Sequence, residues 1–140
     1  AKGLKRFVSK SKLSKTYINK ISNRYDVLVP RGAHGSCSGF GNLIISHPGE
    51  IHTDTYIHFK CKTKSEAINL TSLLNTRFAN VMLSIRKSSQ DTKPDTARWI
   101  PLLPLNRAWD DASVYEYLDL TEEEISLIEE TAANIKGVHR

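Results

Sequence analysis

Asp91 and Lys93 stand with one residue between them, the pairing a metal-dependent nuclease uses to hold a cation and to place a lysine beside the attacking water. No apolar strand precedes them to hold that geometry, so they read as solvated loop charges. His52 and His58 are six residues apart, an even offset that puts both on one face if the segment is a strand. Zinc requires more than two ligands, so these read as surface or hydrogen-bonded histidines and no metal is expected. Gly39-Phe40-Gly41 would suit a phosphate loop if a helix opened after it, but Leu43, Ile44 and Ile45 follow and read as strand. A nucleophile at Ser36 or Cys37 would need His34 as its base and an acid to orient it, and nothing in the sequence supplies that arrangement. No catalytic residue is therefore expected.

Binding chemistry is better represented. Duplex DNA is held through phosphate contacts by Lys and Arg, and its bases are read by Arg, Lys, Asn, Gln and Ser side chains in the grooves. Two stretches collect such residues. The first, residues 31–42, contains four glycines in twelve residues and presents Arg31, His34, Ser36, Ser38 and Asn42 on a backbone able to approach a groove closely. The second presents Arg86, Lys87, Ser88, Ser89, Gln90, Thr92 and Lys93 at the end of a predicted helix. Arg86 and Lys87 also complement the negative end of that helix, which accounts for them without DNA. Trp99 and Trp109 border proline-rich segments and read as core or docking anchors rather than base-stacking platforms.

Charge is split by position. Residues 1–108 hold eighteen Lys and Arg against six Asp and Glu, while residues 109–140 hold two against nine. A basic body with a separate acidic end attracts a polyanion to one part only. At 140 residues with 39% hydrophobic and 25% charged composition, one domain can bury its own core. No apolar run is long enough to span a bilayer, and no membrane role is expected. Cys37 and Cys61 lack paired spacing, which favours two free thiols in a reducing cytoplasm. The basic start at Ala1 has no apolar signal segment, and it reads as a piece of a longer protein.

The elements that must position the two loops follow from period. Residues 1–24 are basic and irregular, a connector or a short helix. Tyr25–Pro30 reads as a buried strand ended by proline. A second strand is expected at 43–46, a turn at His47-Pro48-Gly49, and a third strand over 51–61 from two-residue alternation. Thr63 and Glu66 have capping-box spacing, and apolar residues at three and four predict a single amphipathic helix from about Lys64 to Lys87. Residues 88–97 read as a polar loop. Asp110 or Asp111 caps a short helix through Leu118, and Thr121 with Glu124 opens a terminal helix to about Lys136. The reading is an α+β domain: a small, mostly antiparallel sheet covered by one long helix, with a C-terminal helical tail. Residues 25–108 form the recognition core and 109–140 the tail.

Several segments resemble the C-terminal target-recognition region of adenine-specific DNA methyltransferases from bacterial restriction–modification systems, including those fused to an endonuclease. They are NRYDVLVPRGAHGS (23–36), TDTY (53–56), SEAINL (65–70), NTRFANVMLSIRKSSQDT (75–92) and RWIPLLPLNRAWDDASVYEYLDLTEEEISLIEE (98–130). The resemblance implies a parent enzyme that transfers a methyl group from S-adenosylmethionine to adenine N6 in the bacterial cytoplasm. It implies that this region chooses the DNA site while a catalytic domain of the same chain takes the flipped base. The family's Asn-Pro-Pro-Tyr type and glycine-rich cofactor motifs are absent here, so no cofactor is expected in the fragment itself. The expected partners are double-stranded DNA and that catalytic domain. The alternatives are a metal-dependent endonuclease built on Asp91 or Asp54, and a docking scaffold using Trp99, Trp109 and the tail.

Overall fold

A computed structural model describes residues 7–21, 23–32, 39–88 and 91–135. Three strands, β1 (Tyr25–Pro30), β2 (Ile44–Ser46) and β3 (Tyr56–Cys61), form an antiparallel sheet in the order β2-β1-β3. Asp26 pairs with Ser46 and Lys60, and Leu28 with Ile44 and His58. The alternate residues Val27, Val29, Ile57 and Cys61 are buried on the other face, where the sheet packs against helix α2 (Lys64–Leu74). Strand β1 is central, and its residues 26–29 are buried on both faces. The unbroken apolar run Val27, Leu28 and Val29 is what such a position selects, with Asp26 the exception.

The expected third strand is shorter than its alternation suggests. The chain turns at 54–55, with the Tyr56 N–H donating to the Thr53 carbonyl at 3.2 Å, and β3 begins only at Tyr56. Pro30 closes β1 but not the ladder, because the Arg31 N–H still donates to Thr55 at 2.8 Å.

The single long helix is also corrected. It is two helices, α2 and α3 (Arg77–Arg86), separated at Asn75 and Thr76. The Thr76 hydroxyl accepts the Ala79 N–H at 3.2 Å as an N-cap, and the buried Asn80 amide donates to the carbonyls of Leu74 and Thr76 at 3.0 and 2.8 Å. Side chains thus satisfy the groups a continuous helix would have paired internally. The apolar periodicity runs across the break, so the pattern alone conceals it. Ile85, at the end of that stripe, is 73% exposed.

The other α-helices range from single turns to the thirteen-residue α6 (Glu122–Asn134). α1 spans Lys15–Ile18 and α4 Pro94–Ala97, the latter a helical turn within the segment expected to be a loop. α5 (Asp111–Tyr117) and α6 (Glu122–Asn134) each begin with a reciprocal capping box, Asp110 with Ser113 and Thr121 with Glu124. Thr63 caps α2, but Glu66 reaches the N–H of Lys62 at 2.7 Å rather than that of Thr63.

The acidic tail is part of the core. Val114, Tyr115, Ile128 and Ala132 join one cluster with the sheet and with α2 and α3. Arg77, at the start of α3, pairs with Glu129, lies 3.8 Å from Asp111, and donates its N–H to Asp111 at 2.6 Å. The Tyr115 hydroxyl donates to Glu129 at 2.8 Å. Among the described residues no helix is long and apolar enough to cross a membrane.

Candidate nucleic-acid interface

The two predicted loops meet. Beyond the end of β1, Gly32 forms an antiparallel bridge with Asp91, and the Thr92 N–H donates to the Arg31 carbonyl at 2.7 Å. Residue 31 and the 91–93 segment are therefore held side by side, although sixty positions separate them. Phe40 is buried, its N–H bound to the Asn80 side chain at 2.9 Å. Thus α3 anchors the end of the first loop while its last residue, Arg86, opens the second.

Proline at its first position lets α4 start directly after Lys93, because the missing N–H would be unpaired there in any case. Ala97 is buried, which fastens the otherwise surface-exposed α4 to the core. An open cleft of about 600 Å³ then lies between the end of α3 and α4, lined by Arg86, Asp95, Thr96, Arg98 and Trp99. The Arg86 guanidinium stacks 4.6 Å from the Trp99 ring centre. Arg98 pairs with Asp95 at 3.3 Å, and both side chains are largely exposed. Exposed pairs of this kind exchange readily for other anions because water screens them.

Arg31, Asn42, Arg86, Ser88 and Lys93 are all exposed. Lys87 is half-buried and serves as the C-cap of α3. Thr92 departs from expectation: it is 1% exposed, so its hydroxyl cannot reach a base edge. His34, Ser36, Ser38, Ser89 and Gln90 lie outside the described residues. Arg98 and Trp99 are the additions that sequence reasoning missed. Trp99 was expected as an anchor and is 58% exposed, whereas Trp109 is buried with its ring N–H on the Pro104 carbonyl at 2.9 Å. Burial of Trp109 removes it from any docking surface.

Exposed cations occur at both ends of the sheet and also on the preceding segment, at Lys10, Lys12, Lys15, Lys20 and Arg24. Arg86 and Arg98 line the cleft with Asp95, while Arg31, Asp91 and Lys93 flank the junction at Thr92. Lys60, Lys62 and Lys64, all exposed, follow the opposite end of β3. The acidic tail meets α3 at Arg77, nine residues before Arg86, or about 13 Å along the helix.

The nuclease alternative gains no centre from its named carboxylates. Asp54 is almost fully exposed and pairs with Lys20 at 3.6 Å. Among the described residues, the group of three metal donors consists of Asp26, His52 and His58, and includes neither Asp54 nor Asp91. The fold is α+β. No family model, curated protein or solved structure matches the chain.

Proposed function

We propose that this chain is a DNA-binding target-recognition domain that holds duplex DNA without performing chemistry, as part of a bacterial adenine-N6 methyltransferase. The observation that carries this reading is the Thr92–Arg31 hydrogen bond with its neighbouring Gly32–Asp91 bridge, which holds the described ends of two remote basic loops side by side. Arg31, Arg86, Lys93 and Arg98 neutralise phosphates, and Trp99 with the stacked Arg86 packs against the sugar-phosphate edge. The tail, drawn to Arg77, keeps its carboxylates off the DNA. S-adenosylmethionine and the methyl-transfer step belong to the parent's catalytic domain, which receives the flipped adenine.

The test is fluorescence anisotropy of the chain with duplex DNA over a range of salt. The logarithm of affinity should fall with the logarithm of salt with a slope of about four if four cations each displace a counterion. Arg86→Ala and Lys93→Ala should each reduce that slope by about 0.9, whereas Lys60→Ala, at the other end of the sheet, should leave it unchanged. Absence of binding at low salt, or a larger effect of Lys60→Ala than of Arg86→Ala, overturns the proposal.

A further inference from the structure

Asp26 occupies the central strand, where a carboxylate is out of place. It is 2% exposed, and its Oδ1 is buried with no hydrogen-bond partner. Its Oδ2 lies 3.7 Å from Nδ1 of His58, an ion-pair distance too long for a hydrogen bond. His52 contributes a second orphan, because its Nδ1 is also buried without a partner. The two imidazole rings stand 4.8 Å apart, tilted by 56°. One donor atom from each of the three residues falls within 4.8 Å of the others.

Backbone geometry explains the meeting. Asp26 pairs with Lys60 on β3, so His58, two residues away on the same strand, is its diagonal neighbour on one face. His52 arrives from the β2–β3 connection. That connection is braced by the Glu50 N–H on the His47 carbonyl at 3.1 Å and by the His47 N–H on the Glu50 carboxylate at 3.0 Å. Along a straight strand, six residues would separate the histidines by about 20 Å. The turn at 54–55 brings them into ring contact instead.

A carboxylate withdrawn from water requires a compensating charge, and a buried ring nitrogen requires a proton donor, an acceptor or a metal. A charged His58 answers only Oδ2. A single cation among the three donors answers Oδ1 and the His52 Nδ1 together. We infer that Asp26, His52 and His58 form a binding site for a divalent transition-metal ion of the zinc type, with three protein ligands and one coordination position facing solvent. Two imidazoles and one carboxylate form the donor set that zinc and its neighbours accept, whereas magnesium and calcium favour all-oxygen surroundings. Zinc bonds of about 2.0–2.2 Å place tetrahedral donors roughly 3.4 Å apart. Loading therefore draws the histidines inward. His58, on the exposed side of the group, leaves the last position open to water. The site lies toward the opposite end of β1 from the DNA-binding cleft and is independent of that assignment.

The experiment is calorimetric titration of the chelator-treated chain with Zn²⁺, repeated with Co²⁺ to read its ligand-field absorption. One ion per chain and a four- or five-coordinate cobalt spectrum are expected. His52→Ala and His58→Ala should each weaken binding by at least about 10-fold, and His47→Ala, in the same connection but outside the group, should leave affinity unchanged. Asp26→Asn should abolish binding, and the two histidine variants test the site even if that variant does not fold. Unaltered affinity in His52→Ala and His58→Ala, or the lack of saturable binding, overturns the assignment.

Discussion

The side-chain carbonyl of Asn80 accepts the main-chain N–H of Phe40 at 2.9 Å, across a sequence separation of 40 residues and within the buried interior. The same amide group donates to the carbonyls of Leu74 and Thr76, so one residue closes the helix break and anchors the end of the glycine-rich loop.

Replacing Asn80 by Ala leaves the Phe40 N–H and the Leu74 carbonyl buried without that partner. Stability should fall by roughly 3 kcal/mol, measured by urea denaturation. Asn80→Asp keeps the acceptor but loses both donors, so it should rescue only part of the loss. A change within error in both variants contradicts the pinning role.

Arg77 joins α3 to α5 and α6 through Asp111 and Glu129. These side chains are each about a third exposed, so solvent screening reduces the value of the pairs. Arg77→Ala should cost about 1 kcal/mol and raise amide exchange in α6 more than in the sheet. Equal exchange throughout would show that apolar contacts alone hold the tail.

Thr92 is buried with an unpartnered hydroxyl, while its main-chain N–H joins the two loops. Thr92→Val keeps the shape and the N–H and removes the unpaired oxygen. The variant should be equal to or up to about 1 kcal/mol more stable than the parent chain, with DNA affinity unchanged. Clear destabilisation would reveal a partner for that oxygen.

Burial, with Glu66 and then Asp26 adding repulsion, pushes the Cys61 thiol up to about 11. Burial also raises Tyr115, assisted by its hydrogen bond to Glu129. Each folded value lies above the unfolded one, so each contribution is complete below the unfolded pKa and is lost as pH rises through the folded one. Stability should therefore decline above about pH 9. Cys61→Ala should flatten the decline between about pH 9 and 11, and Tyr115→Phe its continuation. Thiol alkylation at neutral pH should require unfolding. Rapid labelling of Cys61 in the native chain would contradict this.

Features carried by neighbouring residues were legible. The box formed by Thr121 and Glu124 and the cap at Asp110 depend on groups three residues apart, and they occur where their spacing predicts. The buried strand Tyr25–Pro30 was equally plain from its side chains. The helix break was not, because Asn75 and Thr76 interrupt a periodicity that continues on both sides, and the residue that settles the break also binds Phe40. An even offset in a strand puts the two histidines on one face but far apart; the chain reversal at 54–55 is what brings their rings together. Trp99 and Trp109 look alike in sequence, yet one is exposed beside Arg86 and the other is buried beneath the proline segment.

By itself the sequence determined the α+β class, the starts of α2, α5 and α6, the buried strand Tyr25–Pro30 and the split of charge, since each depends on residue type or on contacts within one turn of chain. Only the tertiary structure decided that Arg31 lies against Thr92, that the tail belongs to the core, and that Asp26 faces two histidines. Those relations depend on strand register and chain reversal, where the partner of a group is chosen by what packing brings within a few ångströms and not by its distance along the chain.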